Sequence, residues 1–342
     1  MLRWQNPSIK FFMSELKVMS PSVVTTAYNR IHHKINRTPL LKSHTLNEML
    51  SSDLYFKFEG MQKVGAFKAR GALNTLLALQ EKSALPKEIV AYSSGNHAQA
   101  VAWASKCLGV KATIIVPKLA SPVKIAATKS YGAEVILTEE RQEAEDLAAQ
   151  KAKTCFLLPP YDHDDVIAGQ GTAALEAWMD EGGFDAVFAP CGGGGLISGT
   201  YLATRLFSNT AKIYAAEPEI ANDAAQSYKT GVIKRFATSP MTIADGTRTL
   251  SICERTFQYI KKLDGFYEIP ESEILYWTQW LTHLLKINLE PTCALGMAGA
   301  FNWIKNGNKK KKILIIVSGG NIDPATYHKI WEFNYLNDLP TI

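Results

Sequence analysis

One lysine, a run of glycines, a serine-rich turn and an acidic loop are the residues here whose types and spacing suit chemistry. Lys68 lies in YFKFEGMQKVGAFKARGALNTLLAL (55–79), where a β-like run ends in a loop carrying Gly60 and Gly65. The loop hands Lys68 to the first turn of a helix whose Leu73, Leu76 and Leu77 recur at helical spacing. The positive end of a helix dipole disfavours an ammonium there, and partial burial beside Phe67 acts in the same direction. A partly neutral lysine is an amine nucleophile that can form a Schiff base. A surface lysine opening an ordinary helix is the plainer reading of this window alone.

Cys191-Gly192-Gly193-Gly194-Gly195-Leu196 falls between a strand and a helix. Consecutive glycines let backbone amides approach an anion, and the helix start adds favourable potential. The dinucleotide pattern fails because its third glycine position is Ile197, and no lysine follows as in a P-loop. A small phosphate group fits this turn, with a merely tight turn as the alternative. Ser93-Ser94-Gly95-Asn96-His97 offers hydroxyls and amides suited to a carboxylate or a ring oxygen, although a capped helix start explains it equally. His97 by itself reads as a hydrogen-bonded structural histidine. Ser318-Gly319-Gly320-Asn321 places a hydroxyl at the end of an apolar strand, as an ordinary turn also would. Glu217 to Asp223 supplies two carboxylates and intervening carbonyls, hard ligands for magnesium or calcium. On composition, a solvated acidic loop accounts for it.

The elements that must position these residues alternate. Strand-like runs at 88–92, 110–117, 134–137, 154–158, 185–190, 212–216 and 313–317 are separated by helical stretches at 97–108, 123–131, 140–151, 166–179 and 197–207, with further helices at 271–285, 293–303 and from Pro324. Short helical character at 21–35 leads into an extended Arg37-Thr38-Pro39-Leu40. Such alternation predicts an α/β fold with mostly parallel sheets flanked by helices. Ligands then collect at the carboxyl ends of strands, where the glycine-rich turns fall.

The 342 residues, 46% hydrophobic and 20% charged, have the composition of a globular protein with room for two domains. No apolar run is long enough to cross a bilayer, so no membrane role is expected. The formal charge of +5 owes part of its excess to Lys309–Lys312. With no aromatic-rich basic stripe beside it, that run reads as a solvated lead-in to a strand rather than a nucleic-acid surface. Five scattered cysteines without a CxxC argue against disulfides or zinc and for a reducing cytoplasm. The first fourteen residues carry Arg3 and Lys10 but no acid, yet lack a secretory apolar core and cleavage pattern. They read as a loose extension, with Met13 an alternative start.

Taken together, NRTPLLKS (36–43), the Lys68 segment, SSGNHAQA (93–100), CGGGGLISG (191–199), AEP through Asp223, TIADGTRT (242–249), EPTCALG (290–296) and SGGN resemble the pyridoxal-phosphate enzymes of fold type II. Within that group they are most similar to the serine racemase and serine/threonine dehydratase family. They run nearly the whole chain in the family's order.

The resemblance implies that Lys68 holds pyridoxal 5'-phosphate as an internal aldimine with Phe67 against the ring. It implies that Gly192, Gly193, Gly194 and Gly195 cradle the phosphate, that Asn96 bonds the ring hydroxyl and that Ser318 faces the pyridine nitrogen. Ser93, Ser94, Asn96, His97 and Thr249 would contact substrate, and Glu217, Ala221 and Asp223 would hold Mg2+ or another divalent cation. A neutral Ser318 hydroxyl makes the ring a weaker electron sink than an aspartate would, which suits β-elimination. The implied reaction is dehydration of L-serine or L-threonine to a 2-oxo acid and ammonia, with freed Lys68 as base.

Ser94 matches the second acid/base of racemases, so side racemisation and serine racemase itself stay open. Pro159-Pro160-Tyr161-Asp162 departs from the racemase pattern towards the dehydratases, and a basic residue near Arg141 keeps 3-hydroxyaspartate open. Ala66 stands where a serine is common, a small-for-small change. The end of the chain soon after SGGN leaves no regulatory domain and no expected end-product inhibition. The expected architecture is a large cofactor-binding domain, 1–85 and 163–342, with a small mobile domain, 86–162, inserted in it and the cofactor between them. A homodimer is expected. The rivals are a catalytically silent amino-acid-binding homologue and, remotely, a nucleic-acid partner for the lysine run.

Overall fold

The computed structural model describes residues 18–118 and 120–342, with Arg141 and Gln142 as backbone only. The expectations for the first fourteen residues and for the Arg141 side chain therefore lie outside the described residues. The strands in chain order are β1 (Leu40–Leu41), β2 (Asp53–Phe58), β3 (Glu88–Tyr92), β4 (Lys111–Pro117), β5 (Glu134–Thr138), β6 (Phe156–Leu157), β7 (Ala186–Pro190), β8 (Lys212–Pro218), β9 (Gly265–Ile269) and β10 (Lys312–Val317). They form a six-stranded sheet in the order β1-β2-β10-β7-β8-β9 and a four-stranded sheet in the order β5-β4-β3-β6. Every pairing is parallel except that of β1 with β2. The mostly parallel α/β fold expected from the alternation is the one observed.

β10 shows why the large sheet closes as it does. Ile313, Leu314, Ile315, Ile316 and Val317 are all fully buried, the continuous apolar run of a strand covered on both faces. Ile315 pairs with Phe56 of β2 on one side and Phe188 of β7 on the other. The last strand of the chain thus sits at the centre of the large sheet. The carboxyl ends of β2, β10, β7 and β8 consequently lie side by side, with the Lys68 loop, Ser318, the glycine run and the acidic loop following them.

Several short elements were not foreseen: the helices His44–Met49, Asp223–Thr230 and Glu254–Ile260, and the edge strand β9. Each is too short for its periodicity to stand out. The strand expected at 154–158 shrinks to β6, two residues at a sheet edge. The lysine run does lead into β10, but it is not simply solvated. The Lys312 amine bonds Glu181 and lies over the rings of Tyr55 and Phe184, and Lys311 pairs with Asp185.

A buried charge network fastens the helix Lys68–Glu81 to the large sheet. Arg70 grips Glu59 through Nε and Nη2 at 2.7 and 2.8 Å, and Glu176 through Nη1 and Nη2 at 2.8 and 2.9 Å. Lys57 donates to Glu176 at 2.7 Å and to the Thr38 carbonyl at 2.6 Å. All four charged side chains are at most 1% exposed. Burial opposes the charge on Glu176, but Arg70 and Lys57 outweigh it and hold its pKa below the ordinary range.

Candidate active site

Lys68 is the first residue of its helix. The preceding loop turns through left-handed Val64 (φ 56°) and Gly65 (φ 69°), and a Cβ on Gly65 would come within 2.6 Å of the Asn321 amide oxygen. Two backbone bonds dock this loop on the turn after β10, Phe67 N–H to Ser318 O at 3.1 Å and Gly320 N–H to Gly65 O at 2.9 Å. The Lys68 amine donates to the Pro160 carbonyl at 2.8 Å and lies 5.1 Å from the Phe67 ring centre. Loss of solvent brings its pKa down to about 8, while Glu290 pulls the other way. Burial, more than the helix dipole, favours the neutral amine, the form in which a lysine is a nucleophile or base.

The glycine run turns into the helix Gly195–Phe207 through Gly194, at φ 87°. Side chains have no room there. A Cβ on Gly192 would stand 3.0 Å from the Gly246 carbonyl, one on Gly194 2.9 Å from Thr256, and one on Gly193 would collide with the Tyr161 ring. The Tyr161 hydroxyl donates to the Ser251 carbonyl at 3.1 Å. Lys68 therefore touches Pro160 while the next residue's ring lies on the glycine turn, which brings amine and turn into one site. Thr249 packs against Gly192, and its buried hydroxyl has no hydrogen-bond partner among the described residues. Bare backbone amides, an orphaned hydroxyl and a softened amine form a donor set that fits a phosphate-bearing aldehyde.

Asn96 opens the helix Asn96–Cys107 after β3 and reaches across to the large sheet. Its Nδ2 donates to both Glu290 oxygens, at 2.9 and 3.2 Å, and its Oδ1 accepts from Asn321 at 2.8 Å. Ser318, 1% exposed, donates to Glu290 at 3.4 Å and adjoins the Cys293 thiol. Burial and then Asp245 push the Glu290 carboxyl up to about 7, against Asn96, Lys124 and Ser318. Sequence reasoning assigned Glu290 no role. The segment EPTCALG is conspicuous, but its acid acquires partners only through contacts spanning up to 194 residues.

Ser93 and Ser94 occupy the turn before Asn96. The Ser93 hydroxyl accepts from Gly95 N–H at 3.3 Å, and Ser94 is exposed. His97 is buried against the Leu158 carbonyl at 2.9 Å, and burial drives its pKa down to about 3. This hydrogen bond and burial support the plainer reading of a structural histidine rather than the substrate contact that the resemblance implied.

Glu217 and Asp223 are buried, not solvated, which overturns the plainer reading of that loop. Glu217 accepts from Ala225 N–H at 2.8 Å and Asp223 from Ile252 N–H at 2.9 Å. Each keeps one buried carboxylate oxygen without a partner among the described residues. Burial raises both pKa values, Asp223 to about 7. The backbone of Ala221 is buried between them in sequence. Two orphaned carboxylate oxygens are hard donors of the kind a divalent cation takes. No group of three His, Cys, Asp or Glu side chains among the described residues is arranged to hold a metal.

Comparison with known proteins agrees with this geometry. Residues 31–319 match the family described as "Pyridoxal-phosphate dependent enzyme". The L-threo-3-hydroxyaspartate ammonia-lyase of Saccharomyces cerevisiae is 45% identical over 325 residues, covering 93% of this chain and 98% of that protein. The serine racemase of Schizosaccharomyces pombe is 42% identical over 310 residues, covering 89% and 94%. Among solved structures, maize serine racemase superposes with a TM-score of 0.86 at 34% identity over 92% of this chain and 98% of that one. The threonine deaminase of T.th. gives 0.83 at 40% identity, over 89% and 99%. The chain belongs to the pyridoxal-phosphate-dependent enzymes.

Proposed function

We propose that this enzyme dehydrates a hydroxy-amino acid, L-serine or L-threonine, to a 2-oxo acid and ammonia, with racemisation as a side reaction. The observation that carries the reading is a lysine amine of lowered pKa meeting a glycine turn through Pro160 and Tyr161. Pyridoxal phosphate would be held by Lys68 and Phe67, by the amides of Gly192–Gly195, by Asn96 and by Ser318. When bound, it supplies the electron sink that acidifies the substrate Cα. Lys68 Nζ is the group that takes the Cα proton. Ser93, Ser94, Asn96 and the neighbouring amides grip the substrate carboxylate, and Thr249, beside Gly192, offers the substrate its unpartnered hydroxyl. A neutral Ser318 favours loss of the β-hydroxyl over prolonged charge storage in the ring. The substrate thus loses its Cα proton and hydroxide, and hydrolysis of the released enamine gives the 2-oxo acid and ammonia.

The 45% identity to an L-threo-3-hydroxyaspartate ammonia-lyase supports a second reading in which the substrate carries a further carboxylate; the serine racemases support a third. A panel of L-serine, L-threonine and L-threo-3-hydroxyaspartate, scored together for 2-oxo acid and for the enantiomer that remains, separates the three. A cofactor-loaded protein that forms neither product from any of them is the silent amino-acid binder instead. Ser94→Ala is expected to abolish D/L interconversion by about a hundredfold or more while sparing elimination from L-serine. Equal loss of both activities would remove Ser94 from the second face.

Glu217, the Ala221 carbonyl and Asp223 are the proposed holders of Mg2+. Chelation is expected to lower the melting temperature, and Mg2+ at about a hundred times its Kd to restore about 2.7 kcal/mol. Glu217→Gln should erase the response; a melting curve indifferent to chelator argues against the site. The segment carrying the four-stranded sheet, within 86–162, is the proposed mobile small domain, inserted between 1–85 and 163–342. A cytoplasmic homodimer completes the reading. All five cysteines are free, which supports the reducing compartment but bears on no dimer.

A further inference from the structure

Outside the groups already given roles, a largely buried cation among the described residues links the helix beside the four-stranded sheet to the large-sheet side. Lys124 lies in the first turn of the helix Pro122–Ser130, which packs with the four-stranded sheet. Its side chain is 11% exposed, and its amine pairs with Asp245, on the large-sheet side. Burial opposes the charge on Lys124, but Asp245, Glu290 and Asp323 outweigh it and raise its pKa. All three acids belong to the large-sheet side, and Asp245 is the one that the Lys124 ammonium contacts.

The pair reaches the proposed reaction centre in two steps. Asp245 opens the short turn Asp245–Thr247. The next residue, Gly246, donates its N–H to Thr292 at 3.1 Å and sets its carbonyl against Gly192 of the glycine turn. Glu290, whose charge also favours the Lys124 ammonium, is the residue that Asn96 grips from the small side.

We propose that Lys124 is a positioning residue that clamps the small-sheet unit over the site through Asp245, and that productive substrate binding requires this clamp. The proposal rests on reading the cleft as the reaction site but not on which hydroxy-amino acid is used. An apparent affinity falls by the fraction of molecules held in the competent arrangement, so loss of the clamp is felt in KM before kcat.

The test compares the Lys124→Met, Lys124→Arg and Lys124→Asp/Asp245→Lys holoenzymes with wild type, each shown to be folded by its melting curve. Lys124→Met should raise KM for L-serine by about tenfold or more, with kcat changed less and with cofactor absorbance retained. Lys124→Arg, and in part the charge swap, should recover KM. Removing the ammonium also leaves Glu290 facing Asp245 uncompensated. Any pH-profile midpoint due to Glu290 should also move upward in Lys124→Met, but it is the rise in KM without a matching fall in kcat, rescued by arginine, that a purely structural lysine would not produce. Small-angle X-ray scattering supplies an arm independent of turnover: Lys124→Met holoenzyme should be less compact than wild type. If wild type turns over nothing on the panel, the functional reading fails while the scattering arm still decides this one. Unchanged KM and compactness in Lys124→Met overturn the clamp. So does parallel loss of kcat, KM and cofactor that arginine does not rescue.

Discussion

Lys68→Ala is expected to lose turnover by at least about a thousandfold and to lose the absorbance band of lysine-bound cofactor. In the proposed reaction the amine does two things, anchoring the cofactor and moving the Cα proton, and no other described side chain bonds Pro160 from that position. Its lowered pKa adds a quantitative expectation. An ordinary lysine near 10.5 is almost wholly charged at neutral pH, whereas one at about 8 is uncharged in about one molecule in ten at pH 7. Capture of added cofactor by the cofactor-free protein should therefore accelerate with rising pH and level off above about pH 8. Mixing experiments that follow the absorbance band will show this. A capture rate flat across the neutral range, or a normal band in Lys68→Ala, removes Lys68 from the reaction.

Arg70→Met is expected to cost about 3–5 kcal/mol of stability, the penalty for leaving partners of a buried ion pair uncompensated. Glu59 and Glu176 would face each other beside Lys57 alone, with almost no water to screen them. Against a total stability of about 5–15 kcal/mol, that loss is severe. The network closes β2, the Thr38 segment, the helix Lys68–Glu81 and the helix Asp164–Asp180 on one guanidinium. The expected signature in urea is a large fall in midpoint with an unchanged slope. A change below about 1 kcal/mol would show that the four charges are replaceable by packing.

Much of the site was readable because its signals are local. Four successive glycines between a strand and a helix suit an anion cradle, and Gly194 does turn left-handed where the helix begins. Lys68 opens its helix as the leucine spacing required. Other features were not readable. The acidic loop at Glu217 looked like solvated surface, because nothing near it in sequence shows that Asp223 is sealed beneath Ile252. The role of Arg70 could not be read from its neighbours, because its acids stand 11 and 106 positions away. The pKa of Lys68 was expected to fall partly through the helix dipole; loss of solvent governs it, and solvent exposure belongs to the whole fold.

By itself, then, the order of residues determined the alternation of strands and helices, the parallel pairing and the turns that could hold a phosphate and a lysine. Those depend on φ/ψ preference and periodicity, which act over a few neighbouring residues. Tertiary structure alone decided that the final strand lies between β2 and β7, that Glu290 joins Asn96 and Ser318, and that Lys124 meets Asp245 across two sheets. These contacts are governed by burial and by charge at short range, and both are set only when distant parts of the chain have packed together.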